Sequence, residues 1–159
     1  MEKLCPFCGD QAAESSFALE GGILAIYNIS PLLPGHSLIV PEHHAGSLFD
    51  LSEDEISRFF AFARKVTHFL MQVYNAEAFD WSLQEGEIAG QSVEHLHLHI
   101  IPRTSGDLPD GVEWYSLLYG QQSQGLDNPE RVRLNTWEHA GATLQLRQKW
   151  EEYNKVIPG

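Results

Sequence analysis

The stretch "VEHLHLHIIPR" at residues 93–103 places histidines at three alternate positions, His95, His97 and His99. Successive side chains of a β-strand point to opposite faces, so this spacing predicts three imidazoles on one face and apolar residues on the other. Imidazole can act as a nucleophile, bind phosphate oxygens or ligate a metal near neutral pH. Three interpretations follow: solvated histidines without a role, a shared metal site, or a row that contacts a polyphosphate.

A second group of reactive side chains lies near the N-terminus, in the motif "CPFC" at residues 5–8. Two thiolates three residues apart can bind one metal from a tight turn, but they supply only half of a tetrahedral site. A thioredoxin-like redox motif requires a βαβ context, and no such pattern follows here. The spacing alone leaves open a metal site and two unrelated reduced cysteines.

Composition limits the class of protein. A chain of 159 residues, 43% hydrophobic and 20% charged, predicts one globular domain spanning residues 1–159. The formal net charge of −12 argues against nonspecific binding to nucleic acid, which depends on clustered Lys and Arg. No apolar run reaches membrane-spanning length, and the N-terminus has no apolar signal core. We therefore expect no membrane partner and a cytoplasmic location, where the cysteines stay reduced.

The rest of the chain predicts the elements that must position these groups. Ser52 and Glu55 form a capping box, after which apolar residues recur at helical spacing to about Tyr74. A hairpin with a Gly-Gly turn is predicted at residues 15–20 and 23–29. Two further strands are predicted at 36–41 and 78–84, and a late helix at about 137–153. Residues 104 to about 129 predict a long irregular loop. These elements predict an α+β domain with an antiparallel sheet.

Three motifs resemble a known family. The H-x-H-x-H of residues 95–99, followed by two apolar residues, resembles the signature of the histidine triad (HIT) nucleotidyl hydrolases and transferases. "NISPLLPGHSLIVPEHH" at 28–44 and "AGQSVEHLHLHIIPR" at 89–103 resemble the family's N-terminal block and active-site strand. The resemblance covers about residues 4–107 and leaves 108–159 as a loop and a C-terminal helix extension. It implies a HIT-like fold of about five strands with one long helix, and a homodimer with a continuous sheet.

Details within the motifs resemble the branch of fragile histidine triad (Fhit) proteins and bacterial HIT hydrolases. Asn28 matches a ribose-contacting Asn of that branch, Gln84 matches a phosphate-contacting Gln, and the ending typical of the phosphoramidase branch is missing. The resemblance implies cleavage at the α-phosphate of dinucleoside polyphosphates, or of related nucleotide conjugates, through a nucleotidyl-histidine intermediate. The alternatives are a nucleoside phosphoramidase, a dinucleoside polyphosphate phosphorylase and a noncatalytic nucleotide-binding module.

The same resemblance implies a role for each site residue. His97 is the nucleophile, and its second ring nitrogen bonds to the carbonyl of His95, which fixes the reactive tautomer. His99 binds phosphate oxygens, and His36 supports the cluster. The remaining substrate-binding candidates are Gln84 for phosphate, Gln91 and Ser92 for phosphate or leaving group, Asn28 for ribose, and Ile26 and Leu38 for an apolar base slot. Ordinary core positions for Ile26 and Leu38, and an ordinary loop hydroxyl for Ser92, are the alternatives.

The N-terminal "CPFC" resembles the zinc motif of some triad proteins and of the related galactose-1-phosphate uridylyltransferases. This resemblance implies a structural zinc ion held by Cys5, Cys8, His44 and His95, with His43 as the nearest competing ligand. The ion would hold the N-terminus close to the active-site strand. The implied partners are therefore a small nucleotide substrate, a zinc ion and a second copy of the chain.

Overall fold

The computed structural model describes residues 5–114, 116 and 132–156. Five strands form one antiparallel sheet in the order β1-β2-β3-β5-β4. The elements in chain order are α1 Asp10–Glu14, β1 Ser16–Glu20, β2 Ile23–Tyr27, β3 Ser37–Pro41, α2 Glu53–Val73, β4 Ala78–Leu83, β5 Leu98–Arg103 and α3 Thr136–Val156, with short 3-10 helices at Leu48–Asp50 and Glu87–Ala89. The predicted α+β class and five-stranded antiparallel sheet are confirmed.

Both long helices begin at reciprocal caps. At α2 the Ser52 hydroxyl accepts from the Glu55 N–H at 3.3 Å, and the Ser52 N–H donates to the Glu55 carboxylate at 2.8 Å. At α3, Asn135 and Glu138 exchange two bonds of 2.9 Å in the same way. These bonds satisfy N–H groups that the first helical turn leaves without partners. The predicted helix start at Ser52 is confirmed, whereas the cap of α3 was not predicted.

One face of the sheet is covered by α2 and α3. Aromatic rings dominate the contact, and Trp150 of α3 packs edge-on against Phe62 and Phe69 of α2. Residues from all five strands or their neighbours join this core, including Phe17, Ala25, Ile39, Leu98 and Ile100. Burial of this apolar surface is the main source of stability for the fold. Polar chemistry is thereby restricted to the opposite face of the sheet.

The opposite face carries a smaller apolar cluster beneath the N-terminal segment. Ala12 of α1 packs there with Leu24, Ile26, Leu38 and Val40. All five residues of β2 are buried, because the strand has packed elements on both of its faces. Helix α1 was not predicted, and it closes this cluster on the side of the "CPFC" motif. The face therefore presents a short apolar floor beside the histidines.

The histidine strand begins later than predicted. The regular strand covers Leu98–Arg103, whereas the spacing predicts a strand over 93–103. The His97 ring donates to the His95 carbonyl at 2.7 Å, and the His95 N–H donates to the Val93 carbonyl at 2.8 Å. These local bonds occupy backbone groups that a neighbouring strand would otherwise use. The predicted division of side chains persists, because Leu96 still enters the main core.

The C-terminal region agrees with the prediction where the structure describes it. The helix predicted over about 137–153 is present as Thr136–Val156. Most of the predicted loop from 104 to about 129 lies outside the described residues. Among the helices that are described, none combines the length and the apolar character needed to cross a membrane.

Candidate active site and metal centre

Four buried histidines gather on the face of the sheet opposite the two long helices. His36 precedes β3, His95 and His97 precede β5, and His99 lies within β5 opposite Leu38. None of the four residues is more than 2% exposed. Buried polar rings require fixed hydrogen-bond partners, so their orientations can be read from their neighbours.

His97 is oriented by the backbone of His95. Its Nδ1 lies 2.7 Å from the His95 carbonyl oxygen, which can only accept a hydrogen bond. The proton of the neutral ring must therefore reside on Nδ1, and Nε2 carries the lone pair. The hydrogen bond expected from the sequence resemblance is present. Its chemical consequence is an imidazole with nucleophilic character at Nε2.

His36 and His99 form a second oriented pair. The Leu32 N–H donates to Nδ1 of His36 at 3.0 Å, so the proton of that neutral ring must reside on Nε2. This Nε2 lies 2.9 Å from Nδ1 of His99 and donates to it. The His99 ring then carries its own proton on Nε2, where it can donate to an acceptor. A backbone N–H thus sets the polarity of two successive rings, and an N–H donor suits a phosphate oxygen.

Asn28 joins the same group from the end of β2. Its Oδ1 accepts from the Ser30 N–H at 2.8 Å, and its Nδ2 lies 3.2 Å from Nε2 of His36. The Asn28 N–H also donates to the His36 carbonyl at 3.0 Å. The Asn28 amide is therefore buried and fixed beside the histidines. Its contact with ribose stays a prediction.

Gln84 follows β4, where Leu83 pairs with Leu98 across the sheet. Its Oε1 is buried and has no hydrogen-bond partner within the described residues. Gly90, with a φ of +102°, packs against this side chain, and a Cβ there would lie 2.9 Å from Nε2 of Gln84. Glycine suits this position because of its φ. The loop backbone thereby packs against the Gln84 amide, and the predicted contact of this amide with phosphate stays a prediction.

Gln91 and Ser92 lie in the loop before the histidines. The Gln91 side chain accepts from the Gly86 N–H at 2.7 Å and donates to the Gly46 carbonyl at 3.4 Å. These bonds join two loops at the rim of the site. Ser92 is exposed in the same loop. Their predicted contacts with phosphate or leaving group stay predictions.

The two residues of the predicted base slot are buried neighbours. Ile26 and Leu38 pair across β2 and β3, and each is only 5% exposed. Phe7 packs on their cluster, and its ring centroid lies 5.3 Å from that of His97 and 5.8 Å from that of His95. Sequence analysis missed Phe7, although an aromatic residue between two cysteines was an available signal. Phe7 links the N-terminal motif, the apolar cluster and the histidine that we expect to react.

The four predicted metal ligands converge. The ligand atoms of Cys5, Cys8, His44 and His95 all lie within 4.8 Å of one another. His43 is not in this group; its ring points to Glu55, with Nε2 3.6 Å from the carboxylate. Adjacent histidines separate in this way because their side chains leave the backbone in different directions. The cluster could therefore hold a metal ion.

His95 is prepared for ligation by its second nitrogen. Nε2–H donates to the Pro41 carbonyl at 2.9 Å, which leaves the lone pair on Nδ1. Nδ1 lies 3.3 Å from Sγ of Cys5 and 3.4 Å from Sγ of Cys8. Burial lowers the pKa of His95 to about 4, so the ring is neutral at pH 7. Neutral imidazole is the form that binds metals.

The donor set and its spacing fit zinc. Bonds of about 2.3 Å to sulfur and about 2.0–2.1 Å to nitrogen set a sulfur–nitrogen separation of roughly 3.6 Å in a tetrahedral site. The sulfur of Cys8 also lies 3.3 Å from Nδ1 of His44, close to that separation. Burial, with a smaller effect of Cys5, raises the pKa of Cys8 to about 11. A metal ion would have to displace the thiol proton on binding.

Comparison with known proteins identifies a family and several relatives with similar sequences. Residues 11–106 match the family model described as the HIT domain. The chain is 39% identical over 94 residues to the asymmetrical bis(5'-nucleosyl)-tetraphosphatase of Schizosaccharomyces pombe, covering 59% of this chain and 52% of that protein. It is 35% identical over 131 residues to the bifunctional bis(5'-adenosyl)-triphosphatase/adenylylsulfatase FHIT of Arabidopsis thaliana, covering 80% of this chain and 73% of that protein.

A solved structure shares the fold over almost the whole chain. The zinc-bound histidine triad family protein of Mycobacterium smegmatis superposes with a TM-score of 0.68 at 20% identity, covering 97% of this chain and 98% of that one. At this identity the likeness concerns the fold. The family match covers more than half of the sequence, and the Fhit-like resemblance agrees with the relatives found. The chain belongs to the histidine triad (HIT) family.

Proposed function

We propose that this protein hydrolyses dinucleoside polyphosphates, or related nucleotide conjugates, at the α-phosphate. The observation that carries the proposal is the bond from His97 Nδ1 to the His95 carbonyl, which leaves Nε2 of a buried ring as a nucleophile. The named activities of the S. pombe and A. thaliana relatives support this substrate class. Because the chain spans only about half of the S. pombe relative, the activity of that whole protein is carried over as part of the proposal.

The reaction proceeds in two displacements. Nε2 of His97 attacks the α-phosphorus, a P–N bond forms, and the P–O bond to the leaving polyphosphate breaks with the electron pair on oxygen. Water then attacks the same phosphorus and releases a proton to solvent, the P–N bond breaks, and the lone pair returns to Nε2. The products are a nucleoside monophosphate and the remaining nucleotide. Division of one hard step into two is the benefit of covalent catalysis.

The other polar groups act without being consumed. The Nε2–H of His99 donates to a phosphate oxygen as negative charge redistributes in the transition state. His36 keeps that donor in place through its 2.9 Å contact. We assign the Gln84 amide to the phosphates, Asn28 to the ribose, and Gln91 and Ser92 to the rim of the leaving-group site. Ile26 and Leu38 provide the apolar floor for the base.

A substrate comparison tests this proposal. Purified protein should turn over diadenosine triphosphate or tetraphosphate faster than adenosine 5'-phosphoramidate, and rapid quenching should trap an adenylylated protein. A preference for the phosphoramidate would favour a phosphoramidase, and dependence on inorganic phosphate would favour a phosphorylase. Binding of nucleotide without turnover of any of these substrates would leave a noncatalytic module. Adenylylsulfate is the conjugate to include, because the A. thaliana relative is also named an adenylylsulfatase.

We assign the cysteine–histidine cluster to zinc. Cys5, Cys8, His44 and His95 would hold the ion, which supplies no step of the reaction but joins the N-terminal segment to the segment that precedes β5. The ligand spacing and the His95–Pro41 bond support this assignment. Protein purified without chelator should contain about one equivalent of zinc. Less than about a tenth of an equivalent after reconstitution would overturn the assignment.

We propose a homodimer formed through β4. This strand is at the edge of the sheet, and its Phe79 and Trp81 side chains are 47% and 37% exposed. Phe60 of α2 stacks on Trp81 with centroids 6.2 Å apart, so the helix reaches the same edge. Pairing of two such edges would satisfy their backbone groups and cover these rings. Sedimentation should give a dimer at micromolar concentration, which Trp81→Lys should weaken; a wild-type monomer would refute it.

The chain boundaries and location form the remaining part of the proposal. One core cluster contains Phe17 near the start of the described chain and Trp150 near its end, which supports a single domain over 1–159. Two thiol ligands favour a reducing compartment, as expected for the predicted cytoplasmic location. Limited proteolysis should give no stable fragment shorter than the segment from β1 to α3.

A further inference from the structure

The C-terminal segment continues one edge of the sheet beside the candidate site. Pairing between β1 and β2 ends at Ile26, so within the described residues no strand pairs with the backbone that follows on this edge. The Tyr27 carbonyl accepts instead from Nε2–H of His139 at 2.7 Å. Two residues on, the Ile29 carbonyl accepts from the Leu134 N–H at 2.8 Å. Alternate carbonyls of an extended chain face the same edge, so one segment satisfies both.

Ser30 connects this segment to Asn28. Its hydroxyl donates to the Val132 carbonyl at 2.6 Å, while its N–H donates to Oδ1 of Asn28 at 2.8 Å. Ser30 and Asn28 are 9% and 8% exposed, so both bonds are largely protected from water. Two successive hydrogen bonds through Ser30 therefore connect the Asn28 amide to the C-terminal segment. His36 lies beside Asn28, with its Nε2 3.2 Å from Nδ2 of Asn28.

We propose that residues 132–139 are a positioning element for the ribose subsite. This segment lies outside the residues 11–106 that match the HIT domain, so the domain alone lacks it. Its three contacts hold the chain from Tyr27 to Ser30 in the conformation that aims the Asn28 amide. The inference rests on the proposed function, because it takes Asn28 as the ribose contact. Ser30 and His139 are positioning residues that act through Asn28.

Two substitutions test the inference. Ser30→Ala removes the bond to Val132 but keeps the N–H that orients Asn28, and His139→Phe removes the bond to Tyr27 but keeps a ring. Loss of one such bond should raise KM for diadenosine triphosphate by roughly fivefold and change kcat by less than about twofold. The matched controls are Ser105→Ala and His68→Phe, which lose hydrogen bonds to Glu77 and Tyr153 away from the site. Both controls should keep the wild-type KM.

A binding measurement separates positioning from a general effect on the fold. Calorimetry should show that the wild type prefers AMP over 2',3'-dideoxy-AMP, and that Ser30→Ala reduces this preference by roughly fivefold with little change in affinity for the dideoxy nucleotide. Variants with wild-type KM and wild-type preference would overturn the inference, as would a wild type that binds both nucleotides equally. Failure of the proposed function would appear differently, as a wild type that binds AMP but turns over no dinucleotide.

Discussion

At the start of β5, buried imidazoles bond to backbone atoms, whereas at its end a charged network surrounds Arg103. His97 bonds to a carbonyl at 2.7 Å, and the pair of His36 and His99 is oriented by the Leu32 N–H. The Arg103 guanidinium instead binds both carboxylate oxygens of Asp107 at 2.6 and 3.0 Å. Its remaining nitrogen donates to Asp80 at 3.1 Å, and Cζ of Arg103 lies 3.9 Å from the centroid of the Trp114 ring.

The two ends differ in what a substitution should change. Hydrogen bonds to backbone atoms hold the histidine rings in the orientation that the reaction needs. Loss of a ring should therefore reduce turnover more than it reduces the stability of the fold. The bidentate ion pair of Arg103 and Asp107 should contribute to stability and leave turnover unchanged. The metal cluster lies between these cases, because His95 offers Nδ1 to the cluster and its carbonyl to His97. Four predictions test this distinction.

The largest effect is expected at the start of the strand. His97→Ala should reduce kcat by more than about 10⁴-fold, because the covalent intermediate cannot form, and should leave AMP affinity within a few fold. Steady-state kinetics and calorimetry measure the two quantities. His68→Ala is the control, since this histidine is exposed on α2 and should not affect turnover. Turnover at the wild-type rate in His97→Ala would exclude the nucleophile that we propose.

His36 should give the next largest effect. His36→Phe removes the bond to His99, so the Nε2–H donor of His99 loses its fixed direction. We therefore expect kcat to fall by roughly 10–100-fold. His36→Gln can accept from the Leu32 N–H and donate to His99, so it should recover part of the lost rate. Equal rates for Phe and Gln at this position would mean that ring polarity does not matter. The melting temperatures of the two variants show whether packing explains the difference.

Metal removal should affect stability more than chemistry. Chelation should lower Tm by roughly 5–10 °C, because zinc binds the native ligand set and not the open chain. Turnover should fall by less than about tenfold below the new Tm, since the His97–His95 bond is made by the chain itself. Added zinc should restore both. His44→Ala should lower Tm, whereas His43→Ala, outside the cluster, should keep it; the reverse result would assign the ligand to His43.

The contrast between His43 and His44 also shows what sequence can supply. Spacing predicted that the triad rings alternate with core leucines, because alternation is a local property of extended backbone. It did not predict that β5 begins only at Leu98, since that depends on the His97 side chain bonding to the nearby His95 carbonyl. The ligand set came from family resemblance; no local rule selects one of two adjacent histidines. Which of the two can be a ligand depends on long-range contacts: the His43 ring lies near Glu55, and the His44 ring lies near Cys8.

The unforeseen contacts are long-range in the same sense. Phe7 reaches His97 across ninety positions of sequence, and Ser30 reaches Val132 across 102. Such pairs depend on how the N- and C-terminal segments cross the sheet, and hydrophobic periodicity carries no information about that crossing. The sheet and the long helix could be predicted, and the choice of His97 as the reactive ring stays a prediction. The groups that surround the His97 ring could be identified only from the folded structure.

The smallest effect is expected at the far end of β5, and it depends on pH. The Arg103 guanidinium holds the pKa of Asp107 below its usual range, so the pair stabilises the fold at neutral pH. This contribution is fully present above the unfolded pKa of about 4 and is lost as pH falls through the lower folded value. Asp107→Asn should cost roughly 1–2 kcal/mol of unfolding free energy at pH 7, with unchanged kcat, and less as the pH is lowered to 3. Glu77→Gln is the control, since the Glu77 carboxylate accepts an exposed bond from Ser105, and this substitution should cost less at pH 7. Urea unfolding at both pH values checks the difference, and a reduced kcat in Asp107→Asn would show that the two ends of β5 are coupled.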